Sequence, residues 1–136
     1  MIALELVHDT VAIVVAYQNR SPHPVYLEYC GYDPGSYRLQ KRVNGNWVEA
    51  YRPICQAVGI EDPFPVDPGE VFADTMTAHH FTGFPPVRPR FEVDSIPGTY
   101  RLIMVLYTRW HPNARDRLLD PQARQEVASN TFLILD

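Results

Sequence analysis

The chain has 136 residues, 46% of them hydrophobic and 21% charged, with a formal net charge of −4. That length is one domain, 1–136, able to bury about two-thirds of its unfolded surface. An acidic balance gives no basic field for nucleic acid or anionic lipid, and no apolar run is long enough to span a bilayer.

The start, Met1-Ile-Ala-Leu-Glu5, has neither the basic nor the apolar region of a signal peptide. The chain is read as extracytoplasmic (periplasmic, envelope or secreted) if a leader has been removed, and otherwise as cytoplasmic. Two cysteines, Cys30 and Cys55, are expected to pair in a disulfide. Closing that loop of ~25 residues would be worth roughly 3.5 kcal/mol in the chain-entropy model.

Ile2 to Val7 alternates and predicts a first strand, His8-Asp9-Thr10 a turn, and the uncharged, β-branched Val11 to Tyr17 a buried second strand. The polar loop 18–24 leads into a third strand over Val25 to Tyr29. The segments 37–43 and 47–51 flank Asn44-Gly45-Asn46 and predict a β-hairpin, since Asn-Gly tolerates positive φ at both central turn positions. Its charges (Arg38, Lys41, Arg42, Glu49) suit a protected sheet edge. Prolines interrupt 52–68; a strand restarts over Gly69 to Thr77, and Phe91-Glu92-Val93 is a short edge strand. Pro97-Gly98 predicts a type II turn feeding a strand over 99–108 that is apolar on both faces, hence central. In the insertion 109–128, Asp120 as cap and Pro121 at the first position predict a short helix through Val127. Thr131 to Leu135 is the last strand.

Seven or eight mostly antiparallel short strands without alternating helices make an all-β class, and their order fits an immunoglobulin-like Greek-key sandwich with one short helix before the last strand. Tyr100, near the start of the penultimate strand, stands where such folds tie a tyrosine hydroxyl to the preceding corner.

Three stretches carry a family likeness: Asn19-Arg20-Ser21 leading into Pro24-Val25-Tyr26-Leu27, then Asp67-Pro68-Gly69-Glu70, then Pro97-Gly98-Thr99-Tyr100. In kind and order they resemble the turns of bacterial immunoglobulin-like accessory domains, including the intracellular proteinase inhibitor family known from Bacillus. The resemblance implies a sandwich and, as an alternative function, protease inhibition. The chain departs from the pattern in its cysteine pair, its 79–96 excursion and its 109–128 insertion, and no reactive-site loop carries over residue by residue.

None of the four serines lies in a nucleophile elbow, and no zinc-protease, P-loop or dinucleotide motif occurs, so the chain is read as a non-enzyme without cofactor. Five histidines (His8, His23, His79, His80, His111) lack the converging spacing a zinc site needs. A small-ligand or metal-binding sandwich is the third reading. Phe84-Pro85-Pro86-Val87-Arg88-Pro89-Arg90 is read as a stiff loop packed on the sheet, the alternative being a polyproline ligand. The leading reading is a non-catalytic, immunoglobulin-like accessory module that binds a protein in a bacterial envelope or secreted setting. Its candidate pole gathers the loops 18–24 and 109–128: Arg20, His23, Arg109, Trp110, His111, Arg115 and Arg117.

Overall fold

A computed structural model describes residues 1–30, 33–53, 62–80, 91–110 and 121–136. Its strands are β1 (Ile2–Glu5), β2 (Thr10–Gln18), β3 (Val25–Leu27), β4 (Tyr29–Cys30), β5 (Asp33–Pro34), β6 (Tyr37–Val43), β7 (Asn46–Tyr51), β8 (Phe64–Val66), β9 (Val71–His79), β10 (Gly98–Tyr107), β11 (Arg124–Ala128) and β12 (Phe132–Leu135). The fold is all-β and sandwich-like. A large mixed sheet is organised around β10, and β2 pairs with β9 in a small sheet.

Both edges of β10 are shared by two segments. On one side β12 pairs with Gly98–Tyr100 and β11 with Ile103–Tyr107. On the other, β6 pairs with Tyr100–Met104 and β3 meets Tyr107. β11 and β12 are thus one last strand broken at 129–131, where three residues stand opposite Arg101 and Leu102. Ser129 closes the break: its N–H donates to the Leu102 carbonyl (2.8 Å) and its Oγ accepts from the Leu102 N–H (2.9 Å). β3 and β6 are likewise one strand interrupted by an excursion, whose base is closed by Gly35 N–H on the Glu28 carbonyl (3.0 Å). β1 runs parallel to β12.

The core lies between the sheets. Val11, Ile13 and Val15 of β2 and Phe72, Met76 and Ala78 of β9 face Leu27, Leu39, Tyr100, Leu102, Met104, Leu106, Phe132 and Ile134. At one end aromatic rings run in a row, Tyr51 to Phe91 (5.3 Å), Phe91 to Tyr100 (6.2 Å) and Tyr100 to Phe132 (6.2 Å). The Tyr100 hydroxyl donates to the Ile96 carbonyl at 2.5 Å. Across the sheets Tyr37 Oη donates to Asp74 Oδ2 (3.2 Å).

Two tight turns form as their residues dictate. Asn44 and Gly45 have φ of 51° and 81° and join β6 to β7; His8 and Asp9, at 52° and 59°, close the Val7–Thr10 bridge without a glycine.

Several expectations need correction. The helix expected up to Val127 is a 3₁₀ turn at Pro121–Ala123 followed by β11. The bare edge of β10 offers a ladder from Ile103 to Tyr107, which outweighs a short local helix with its nucleation cost. Strand three stops at Leu27, because the chain leaves the ladder at Glu28 and returns at Tyr37. Phe91 makes only an isolated bridge to Tyr51, not a strand. Gly98 is no type II turn residue: at φ 152° it already pairs with Ile134, and Lys41 Cε lies 2.7 Å from where a Cβ would stand. The hairpin charges do not guard an edge on β6, which sits between β7 and β10. Cys30 ends β4, whereas Cys55, and with it the expected pairing, lies outside the described residues, as does the proline segment 84–90.

Candidate functional site

The loop 19–24 is organised by Asn19, the one buried polar side chain among the described residues. Its Nδ2 donates to the carbonyls of His23 and Val66, both at 2.8 Å. Its Oδ1 accepts from the N–H of Ser21 (3.0 Å) and from Ser21 Oγ (2.7 Å). Two carbonyls at one end and two donors at the other fix the amide's orientation. The Asn19 backbone also clasps the turn Asp67–Glu70, donating to the Glu70 carbonyl (3.0 Å) and accepting from Gly69 N–H (2.7 Å). Pro68 and Gly69, the latter at φ 83°, give that turn its type II form, closed by Glu70 N–H on the Asp67 carbonyl (3.0 Å). Asn19 was legible only as a turn residue. Its burial depends on the 66–70 segment arriving beside it, although Asn-x-Ser just before a strand was the visible sign.

From this loop β3 starts at the end of the large sheet where β10 stops, so 19–24 and 108–110 leave at the same end. Arg20, His23 and Arg109 are exposed there. Arg20 Nε donates to Gln18 Oε1 (3.3 Å). Trp110 is half-buried and lies tilted against Tyr26, ring centroids 5.9 Å apart; its indole N–H is buried with no acceptor among the described residues. His111, Arg115 and Arg117 lie outside the described residues.

The sequence did not reveal a second feature, on the outer face of the large sheet. Strand parity places Trp47 and Glu49 of β7, Arg38, Gln40 and Arg42 of β6, Arg101, Ile103, Val105 and Tyr107 of β10, and Arg124 and Glu126 of β11 on that face. They form one chain of contacts. The Arg101 guanidinium sits 4.5 Å over the Trp47 ring, flanked by Arg42 at 5.9 Å. Arg101 donates to Gln40 (2.7 Å), which donates to Glu49 Oε1 (2.7 Å), an oxygen also bound by Arg38 Nε (3.1 Å). Arg38 also pairs with Glu126, whose other oxygen accepts from Arg124 (2.9 Å). The hydrogen bonds from Arg38 and Arg124 hold the Glu126 carboxyl below its ordinary range. Burial, with Glu28 nearby, raises the Tyr107 hydroxyl's pKa.

Between these groups opens a cleft of about 250 Å³ lined by Ser36, Arg38, Arg52, Pro53, Ile103, Val105 and Arg124. Its floor is apolar, with Ile103 and Val105 only 4% and 8% exposed although they point away from the core. The β-parity of 38, 40 and 42 was visible in the sequence; that β6 lies against β10 was not.

No family model, curated protein or solved structure matches this chain.

Proposed function

We propose that the chain is a non-catalytic, immunoglobulin-like β-sandwich that binds a protein partner, using the end of the large sheet that carries Trp110. The fold part draws support from strand order: in an immunoglobulin-like reading β3, β10 and the β11–β12 strand would correspond to C, F and G of one sheet, and β2 and β9 to B and E of the other. The Tyr100 hydroxyl on the Ile96 carbonyl is the bond a tyrosine corner makes. Asn19-Arg20-Ser21 and Asp67-Pro68-Gly69-Glu70 form corners, in keeping with the proposed likeness to bacterial accessory domains.

The observation that carries the binding part is Trp110. It rests on Tyr26 and stays part-exposed, with the exposed Arg20, His23 and Arg109 on the segments leaving that same end. A tryptophan seated on an aromatic and bordered by arginine is the composition of an interface hot spot.

The test compares Trp110→Ala and Arg109→Ala with the parent chain in pull-downs from the native cell extract and in thermal melts. Partner capture lost from both variants with unchanged melting supports the reading. A large fall in stability from Trp110→Ala, with capture retained by Arg109→Ala, would make Trp110 a cap on the sandwich and end it. Assayed in parallel, inhibition of a subtilisin-like protease at micromolar concentration would replace it with protease inhibition.

A further inference from the structure

We infer that the outer face of the large sheet is a second docking surface, for an acidic segment of a protein partner, with a carboxylate entering the cleft between Arg38, Arg52 and Arg124. This shares with the reading above only the premise of a protein partner and does not involve the Trp110 end. The chain as a whole is acidic, at −4. Yet this one face and its rim present five arginines (Arg38, Arg42, Arg52, Arg101, Arg124) against Glu49 and Glu126, with Glu28 at the far corner beside Tyr107.

The chemistry of the cleft is specific. Glu126 already shows that the fork between Arg38 and Arg124 holds a carboxylate. That glutamate is itself 39% exposed and can swing aside. Arg52, exposed on the rim, has no ion-pair or hydrogen-bond partner among the described residues and is free to meet an incoming anion. The Ile103–Val105 floor keeps water from one side, which strengthens any charge-assisted bond formed above it.

Geometry favours a segment over a lone anion. By register the Arg101–Arg42 pair lies level with residues 99–101 of β10 and the cleft level with 103–107, about five residues further along the strand, roughly 16 Å. About five extended residues cover that distance, placing one carboxylate in the cleft and another at the Arg101–Arg42 pair above Trp47.

The experiment titrates the ¹⁵N-labelled full chain with the peptide acetyl-Glu-Val-Glu-Val-Glu-amide, with its Gln-for-Glu counterpart, and with inorganic phosphate, all at equal ionic strength. The acidic peptide is expected to move the amides of Ile103, Val105 and Arg124 and the Trp47 indole, and to weaken as salt rises. Arg52→Gln, at an exposed position unpaired among the described residues, should melt like the parent and bind about fivefold more weakly. Trp110→Ala should bind the peptide like the parent, which separates this surface from the other. An equal response to the Gln peptide, a phosphate response as large as the peptide's, shifts confined to other residues, or undiminished binding by Arg52→Gln would each overturn the inference.

Discussion

Asn19 offers the sharpest test of how the Trp110-bearing end is held. Asn19→Ala removes four side-chain hydrogen bonds from a residue that is 0% exposed. They are not equal. The Ser21 N–H is near solvent and finds water, and the Ser21 hydroxyl, released from Asn19 Oδ1, turns its one proton to the His23 carbonyl 2.8 Å away. The bond to the Val66 carbonyl is buried, and an orphaned buried acceptor costs about 1–3 kcal/mol. Adding a few tenths for each exposed bond and a small cavity gives about 2–4 kcal/mol. At an unfolding entropy of about 2.1 cal/mol/K per residue, that is a fall of roughly 7–14 °C in Tm. Asn19→Asp is isosteric but turns the amide's donors into acceptors facing two carbonyls, so at neutral pH it should cost at least as much as alanine. A protonated carboxyl donates again, so the aspartate's folded pKa is raised. Its stability is present below the unfolded value near 3.9 and lost as pH rises through the folded one. Urea melts of both variants at acid and neutral pH supply the measurement. A cost under ~1 kcal/mol for Asn19→Ala, or neutral-pH Asn19→Asp as stable as the parent, would refute the reasoning.

Tyr100→Phe deprives the half-buried Ile96 carbonyl of its donor and should cost about 1–2 kcal/mol. Tyr107→Phe, whose contact to Glu28 is 3.5 Å, should cost ~0.5 kcal/mol or less. Burial raises the Tyr100 hydroxyl well above its ordinary pKa, so this group's contribution is complete below pH ~10 and lost above it, at up to ~1.4 kcal/mol per pH unit. Urea melts between pH 9 and 11 should show a shallower alkaline slope for Tyr100→Phe. Glu126 has the opposite sign: its lowered pKa contributes stability above the ordinary carboxylate range that is lost as pH falls through the folded value, and Glu126→Gln should flatten that acid limb. The carboxylate is 39% exposed, so the change is expected at ~1 kcal/mol or less. Gly45→Ala, at φ 81° with open space around it, should cost about 1 kcal/mol in a thermal melt, for backbone conformation alone.

The features legible in the sequence are those decided within a few residues. The Asn44-Gly45 hairpin follows from positive φ, and the run from Tyr100 to Tyr107 declares a strand buried on both faces because it has no polar side. Whatever depends on a distant partner was not legible. Arg124–Ala128 reads locally as the continuation of a Pro-initiated helix, and only the bare edge of β10 makes it a strand. The three residues at 129–131 look like part of a long connection until Arg101 and Leu102 stand opposite them. The arginine face was hidden for the same reason. Arg38, Arg101 and Arg124 lie far apart in the chain and become neighbours only through the order of β6, β10 and β11.

A division of labour follows between the residues that form the corners and those that could recognise a partner. Asn19 spends its amide on His23, Val66 and Ser21; Pro68 and Gly69 close the turn it clasps; Tyr100 gives its hydroxyl to Ile96. Each of these motif residues is consumed by a corner, and its polar groups face inward. Such residues can be shared by sandwiches of quite different function, because what they specify is where the strands turn. On the two proposals above, recognition falls to outward-facing side chains, among them Arg52, the part-exposed Trp110 and Arg101, which lies over Trp47 and donates to Gln40. None of them forms a corner. A variant that alters only Arg52 and Trp110 should therefore change what the protein binds while leaving its melting temperature where Asn19 and Tyr100 set it.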